Sequence, residues 1–257
     1  MIVDVFPFYN ELEMLEYRLE TLYPVVDKFV LVESTLTYRG TPKELFYEKN
    51  KNKFIKFSDK IIHVVDDEMM VNPSNPWYNE RHQRDYAGIK VVMNMGLAPT
   101  DIIISCDVDE IPDPEIVKTL DTLLVYPIMA LKMDMYYYTL EHKLTIDWIQ
   151  PTALHFFALQ QIESLTQARH FPDKKIIPNA GWHLSYFGDP QFIINKLKNF
   201  AHAEFADAAD VPEDVLRAVR NCESICDKTK LEYIPLGENQ RLPPNYQLLK
   251  TKTDMYT

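Results

Sequence analysis

Glycine is scarce in this chain, six in 257 residues. Long flexible linkers are excluded on that ground, and turns must rely on the 17 prolines and on Asn and Asp. Cysteine is scarcer still. Cys106, Cys222 and Cys226 cannot build a disulfide framework, so a reducing compartment is expected. Cys222 and Cys226 lie four apart on a predicted helix, in line with Val215 and Val219, and read as small residues of a buried stripe rather than a metal or redox pair. No run of about 18 apolar residues occurs, so no membrane-spanning helix is expected. Asp4 interrupts the apolar start and Glu11 and Glu13 follow, a pattern unlike a signal peptide. Positive charge is also short: 27 Lys and Arg against 38 Asp and Glu leave a net charge of −11. A general nucleic-acid binder carries a basic face, so nucleic acid is not an expected partner. The locally basic stretch Lys49 to Lys56 reads as a solvated helix face. A chain this acidic would bind a nucleotide diphosphate through a divalent cation.

What is present is an alternation of strands and helices. Strands are predicted at Ile2 to Phe6, Phe29 to Val32, Ile61 to Val65 and Asp101 to Ser105. Between them lie a helix capped by Asn10, with Glu13 completing a capping box, a helix around Lys43 to Phe54, and a long helix from Trp77 to Met95 stopped by Gly96. The run of three isoleucines before Ser105 suits a strand buried on both faces of a parallel sheet. Such alternation predicts an α/β fold with a doubly wound, mostly parallel sheet. Ligands then bind beyond the carboxyl ends of the strands, which here carry Tyr9, Asn10 and Glu11, Glu33 and Ser34, and Asp107 to Glu110. Asp113 with Pro114 should start a short helix. An aromatic, strand-rich region follows from Ile128 to Ala158. Helices return near Gln191 to Ala201 and Pro212 to Cys226, before an irregular Pro- and Tyr-rich tail from Pro235 to Thr257. One domain of residues 1–257 is expected, with halves 1–113 and 114–257.

Four constellations could carry chemistry. In Asp107-Val108-Asp109-Glu110, two carboxylates two positions apart point the same way, and a hard divalent cation with oxygen ligands relieves their repulsion. The bland alternative is an acidic surface turn. On the Trp77 to Arg84 helix, Asn79 and Gln83 share one face and Glu80 and Arg84 another. Arg84 could meet a phosphate and the amides a base or sugar, or Glu80 and Arg84 could form a simple i,i+4 ion pair. In Ala180-Gly181-Trp182-His183, His183 could ligate metal and Trp182 could stack on a sugar, or both could be core residues. In Phe200 to Phe205, Glu204 could act as a general base.

These segments, taken in order, resemble glycosyltransferase family 17. The resemblance runs from Asp4 to Arg18, through Val30 to Ser34 with Thr37, Gly40 and Pro42, through Asn79 to Arg84, Asp107 to Pro112 and Ala180 to His183, to Lys196 to Glu204. It implies a GT-A-type, Rossmann-like fold with a nucleotide-sugar-binding half (1–113) and a smaller mixed acceptor-side region with the C-terminal tail (114–257). It further implies a UDP-sugar donor such as UDP-GlcNAc, a glycan acceptor, Mn²⁺ or Mg²⁺, and inversion at the anomeric carbon. On that template Asp107, Asp109 and His183 are expected to hold the metal. Tyr9, Asn10, Glu33, Ser34, Asn79, Gln83, Arg84, Asp107 and Trp182 are expected around the donor. Glu204 and Glu110 are the candidate bases. The chain begins almost at its first strand, so a cytoplasmic microbial or viral enzyme is expected. Two other functions use the same features: metal-dependent nucleotidyl transfer or phosphate-ester hydrolysis, and non-catalytic glycan or nucleotide binding on the same scaffold.

Overall fold

A computed structural model of the chain describes residues 1–249 and Tyr256, with the backbone alone for residues 87–89. Its strands are β1 (Ile2–Phe8), β2 (Lys28–Ser34), β3 (Ile61–Asp66), β4 (Ile102–Ser105), β5 (Glu110–Pro112), β6 (Ile128–Tyr137), β7 (His142–Trp148), β8 (Thr152–His155), β9 (Lys175–Ser185) and β10 (Glu232–Tyr233). Its α-helices are α1 (Leu12–Leu22), α2 (Phe46–Asn50), α3 (Trp77–Lys90), α4 (Pro114–Val117), α5 (Leu120–Leu123), α6 (Phe156–Ile162), α7 (Leu165–Arg169), α8 (Pro190–Asn199) and α9 (Pro212–Arg220). The sheet runs β10-β7-β6-β8-β4-β1-β2-β3, with β9 joining β6 and β5. From β4 to β3 every pairing is parallel. Beyond β4 the sheet is mixed, through antiparallel β8, β6 and β7 and the parallel β6–β9 pair. This is the expected Rossmann-like α/β arrangement, a parallel half continued by a mixed one.

Residue alternation explains the double winding. Phe6, Phe8, Phe29, Leu31, Ile102 and Ile104 pack on one face of the sheet with Leu15, Leu19 and Leu22 of α1. Val3, Val5, Val30, Val32 and Ile103 face the other way, toward Phe156, Leu159, Leu165 and Ala168 of α6 and α7. The isoleucine run of β4 is buried on both faces for that reason. Asp113 caps α4 by accepting from the Glu115 amide, with Pro114 behind it.

Several local expectations are corrected. The side chain of Asn10 does not cap α1. Glu11 holds the N-cap position, and its carboxylate folds back onto the Tyr9 and Asn10 amides instead. The helix from Trp77 ends at Lys90, and the chain continues as a 3-10 turn, Val92–Asn94, before Gly96 in the left-handed region. The Lys43 to Phe54 helix is α2 followed by 3-10 turns over Lys51–Phe57. Cys222 and Cys226 lie beyond α9 and not on it, because Cys222 itself turns the chain with a positive φ. In the tail, Leu236, Leu242, Tyr246 and Leu249 pack against the cluster around Tyr17 and Trp182, and residues 250–255 and 257 lie outside the described residues. Among the described residues no helix is long and apolar enough to cross a membrane.

Candidate active site

The carboxyl ends of β1, β2 and β4 open onto a cavity of about 760 Å³. Its floor comes from Phe8 and Tyr9, Ser34 and Thr37, and Asp107 to Asp109. Its walls come from α3, from His183 and Ser185 of β9, and from Lys196 to His202.

The acidic loop is held by a buried guanidinium. Asp4 of β1 and Arg18 of α1 are fully buried and joined by two hydrogen bonds of 2.8 and 2.6 Å. Arg18 lies over the Phe6 ring, and its Nη1 donates to the carbonyl oxygens of Asp107 (3.1 Å), Val108 (3.4 Å) and Glu110 (2.6 Å). A charge buried this deeply is tolerable only when paired and fully hydrogen-bonded. Here its spare donors shape the turn that presents Asp107 and Asp109.

The three carboxylates of the loop have separate fates. Glu110 is fully buried and saturated: Oε1 accepts from Trp148 Nε1 and Arg169 Nη2, both at 2.7 Å, and Oε2 from Arg169 Nη1 (2.9 Å) and the Asp107 amide (2.6 Å). No lone pair is left to take a proton, which removes Glu110 as a base. Asp107 pairs with Arg84 at 2.7 Å and Arg169 at 3.0 Å. Burial pushes its carboxyl up, but the two guanidinium groups outweigh burial and hold it well below the carboxylate range. Asp109 gives Oδ2 to Lys196 Nζ at 2.7 Å and turns Oδ1 toward His183 Nε2 at 3.6 Å. Burial would raise this carboxyl too, yet Lys196 and His183 keep it low.

His183 reaches this place through the β5–β9 pairing, which sets it opposite Glu110. Gly181 makes that pairing possible, since a Cβ there would stand 2.2 Å from the Ile111 carbonyl oxygen. Strand alternation then sends Trp182 to the opposite side from His183. Trp182 is buried among Tyr17, Ile111 and Tyr136, donates to the Arg241 carbonyl at 2.7 Å, and does not border the cavity. It is a core residue and not a sugar platform.

Other expected donor residues divide in the same way. Tyr9, Ser34, Gln83, Arg84 and Asp107 border the cavity, whereas Asn10, Glu33 and Asn79 do not. Glu33 is fully buried, accepting from the Tyr47 amide at the start of α2 and hydrogen-bonded to His63, both at 3.0 Å. Asn79 clamps Met70 through its amide and carbonyl, both at 2.8 Å. Gln83 borders the cavity, but its Nε2 is committed to the Val32 and Phe8 carbonyls. Arg84 makes the expected i,i+4 pair with Glu80 and also reaches Asp107, leaving its buried Nη1 without a partner. Glu204 is exposed on a 3-10 turn outside the cavity, bonded to His202 Nδ1 at 2.7 Å.

Sequence reasoning missed Asp4, Arg18, Trp148, Arg169 and Lys196 as parts of this site. Arg18 had a readable signal, because it shares the buried face of α1 with Met14 and Leu22. Arg169 and Lys196 had none, being ordinary last-turn cations of α7 and α8.

The sequence profile of glycosyltransferase family 17 matches residues 1–239. The β-1,4-mannosyl-glycoprotein 4-β-N-acetylglucosaminyltransferase of Rattus norvegicus is 23% identical over 284 aligned positions, taking in 97% of this chain. The chain spans 52%, about half, of the length of that relative. Among solved structures, HddC from Yersinia pseudotuberculosis is similar with a TM-score of 0.41 and 11% identity, over 72% of this chain and 89% of that one. The inositol-1-phosphate CTP transferase from T. maritima gives a TM-score of 0.37 and 9% identity, over 73% and 85%. On the match that covers nearly its whole length, the chain belongs to glycosyltransferase family 17.

Proposed function

We propose that this protein is a metal-dependent, inverting glycosyltransferase that moves N-acetylglucosamine from a UDP-sugar to a glycan acceptor. The observation that carries this reading is the pair Asp109 and His183, an oxygen and a nitrogen 3.6 Å apart at the strand exits, in a chain of this family.

The residues present fit a divalent cation. Around the acidic loop Glu80, Asp107 and Asp109 border the cavity together with Arg84, Arg169 and Lys196, while Asp4, Arg18 and Glu110 lie buried behind it. The oxygen and nitrogen donors Asp109 Oδ1 and His183 Nε2 suit a divalent ion such as Mn²⁺, and a dication there would supply positive charge where a diphosphate must bind. Asp109 Oδ1 and His183 Nε2 would hold the ion. Asp107, engaged by two arginines, would act on it through water at most. Among the described residues no set of three or more His, Cys, Asp or Glu side chains is arranged around a metal position, so donor oxygens and water must complete its shell.

When bound, the ion supplies Lewis-acid stabilisation of the departing UDP. Arg84, with its unpartnered Nη1, adds a donor for the diphosphate. Tyr9 and Ser34 border the position expected for the nucleoside at the exits of β1 and β2.

The test is a panel of UDP-sugars incubated with the purified protein and Mn²⁺ or EDTA, followed by identification of the products. Metal-dependent release of intact UDP from UDP-GlcNAc supports the reading. Release of pyrophosphate or inorganic phosphate instead would replace it with nucleotidyl transfer or hydrolysis. Binding without turnover, with any acceptor supplied, would leave a glycan- or nucleotide-binding scaffold.

A further inference from the structure

We propose that His202 is the catalytic base that takes the proton from the attacking hydroxyl, and that Glu204, paired with it in a dyad, is the positioning residue that orients and supports the imidazole. This assignment rests on the glycosyl-transfer reading above.

Helix α8 delivers Lys196 to Asp109, and the chain continues along the same wall through Asn199, Phe200 and Ala201 to His202, all bordering the cavity. The chain leaves α8 after Asn199, and its extended backbone at Phe200 carries the wall past the Lys196 end of the site to the 3-10 turn that begins after His202. An acceptor hydroxyl belongs on that far side, across the transferred sugar from the diphosphate.

The His202 ring is half exposed and has aromatic neighbours on several sides. Trp77, the first residue of α3, meets it edge-on with centroids 4.5 Å apart. Phe200 and Phe205 flank it at 5.4 and 5.6 Å. Nδ1 bonds to Glu204 Oε1 at 2.7 Å, a contact that makes Nδ1 the protonated nitrogen and Nε2 the basic one. That hydrogen bond also holds the Glu204 carboxyl below its ordinary range, so it is ionised when the imidazolium forms.

Each carboxylate that borders the cavity has a hydrogen-bond or ion-pair partner of its own. Glu11 accepts from the Tyr9 and Asn10 amides. Glu80 and Asp107 hold Arg84, Asp109 holds Lys196, and Asp227 accepts from the Thr229 amide.

The step balances as follows. The acceptor O–H bond breaks and its proton goes to His202 Nε2. The acceptor oxygen bonds to the anomeric carbon as the bond from that carbon to the diphosphate oxygen breaks, and its electron pair leaves with UDP. The imidazolium, paired with Glu204, returns the proton to solvent.

UDP-GlcNAc with Mn²⁺ and water as acceptor is the probe reaction, and UDP affinity is measured separately by calorimetry. His202→Gln should lower kcat by roughly 10²–10⁴-fold while UDP affinity stays within about twofold. Added imidazole should restore part of the rate to His202→Ala. Glu204→Gln should lower kcat by roughly 10–100-fold with the donor KM unchanged, and Glu204→Asp should recover much of the loss. A His202→Gln enzyme with wild-type kcat would overturn the dyad and leave the transferase reading standing. A wild-type protein that releases no UDP from any donor would overturn both.

Discussion

Arg169 grips Glu110 through two parallel hydrogen bonds of 2.9 and 2.7 Å, deep beneath the loop that presents Asp107 and Asp109. The pair is bidentate and buried, with Glu110 saturated behind the cavity wall and Arg169 bordering the cavity, so its task is to hold the loop in shape. Removing one partner strands the other charge in a dry site. Glu110→Ala should therefore cost about 3–5 kcal/mol of stability in urea unfolding, with activity lost in proportion to folded protein. A stable, folded Glu110→Ala with a selective loss of kcat would contradict this.

The same logic applies to Asp4 and Arg18. Asp4→Asn should destabilise by about 3–5 kcal/mol, whereas a paired Asp4→Leu, Arg18→Met variant should recover much of that stability. The double variant would still lack the donor to the Asp107, Val108 and Glu110 carbonyls. It should fold and yet turn over poorly, which thermal unfolding beside a UDP-release assay checks directly.

Asp107 and Asp109, two positions apart, should behave differently under metal titration. Asp109→Asn should raise the Mn²⁺ concentration for half-maximal rate by about 10–100-fold, the size of effect seen when metal-site support is lost. Asp107→Asn loosens Arg84 and Arg169 and should lower donor affinity with a much smaller change in that Mn²⁺ requirement. Equal shifts in the two variants would show that both carboxylates ligate the ion.

Trp182 offers a contrast between packing and recognition. Trp182→Ala should cost about 3–5 kcal/mol, while Trp182→Phe should leave the donor KM within about threefold of wild type. A large KM change in a stable Trp182→Phe enzyme would return this residue to the sugar site.

The parallel half of the fold was legible because its signals are local. The isoleucines of β4, the leucines of α1 and the polar strand exits follow from periodicity alone, and they mark the edge of the sheet onto which the cavity opens. The acidic loop was legible for the same reason. What escaped depends on contacts between distant segments. β5 meets β9 some seventy residues later, and only that register shows that His183 faces the acidic loop while Trp182 faces the core. Arg169 and Lys196 look like ordinary helix-end cations until α7 and α8 dock. Glu33 sits at a strand exit, but burial and the α2 amides claim it. The expected roles of Glu110 and Glu204 rested on their charge, and the structure shows one saturated and the other turned outside the cavity.

A divalent ion held by Asp109 and His183 against the donor diphosphate is the central feature of the proposed function. The most direct measurement is UDP binding by titration calorimetry, with Mn²⁺ and with EDTA, for the wild type and Asp109→Ala. The wild type should bind UDP at least about tenfold more tightly with Mn²⁺, a difference of about 1.4 kcal/mol. Asp109→Ala should lose that difference while remaining folded. Equal affinity with and without metal in the wild type, or an undiminished metal effect in Asp109→Ala, would contradict it.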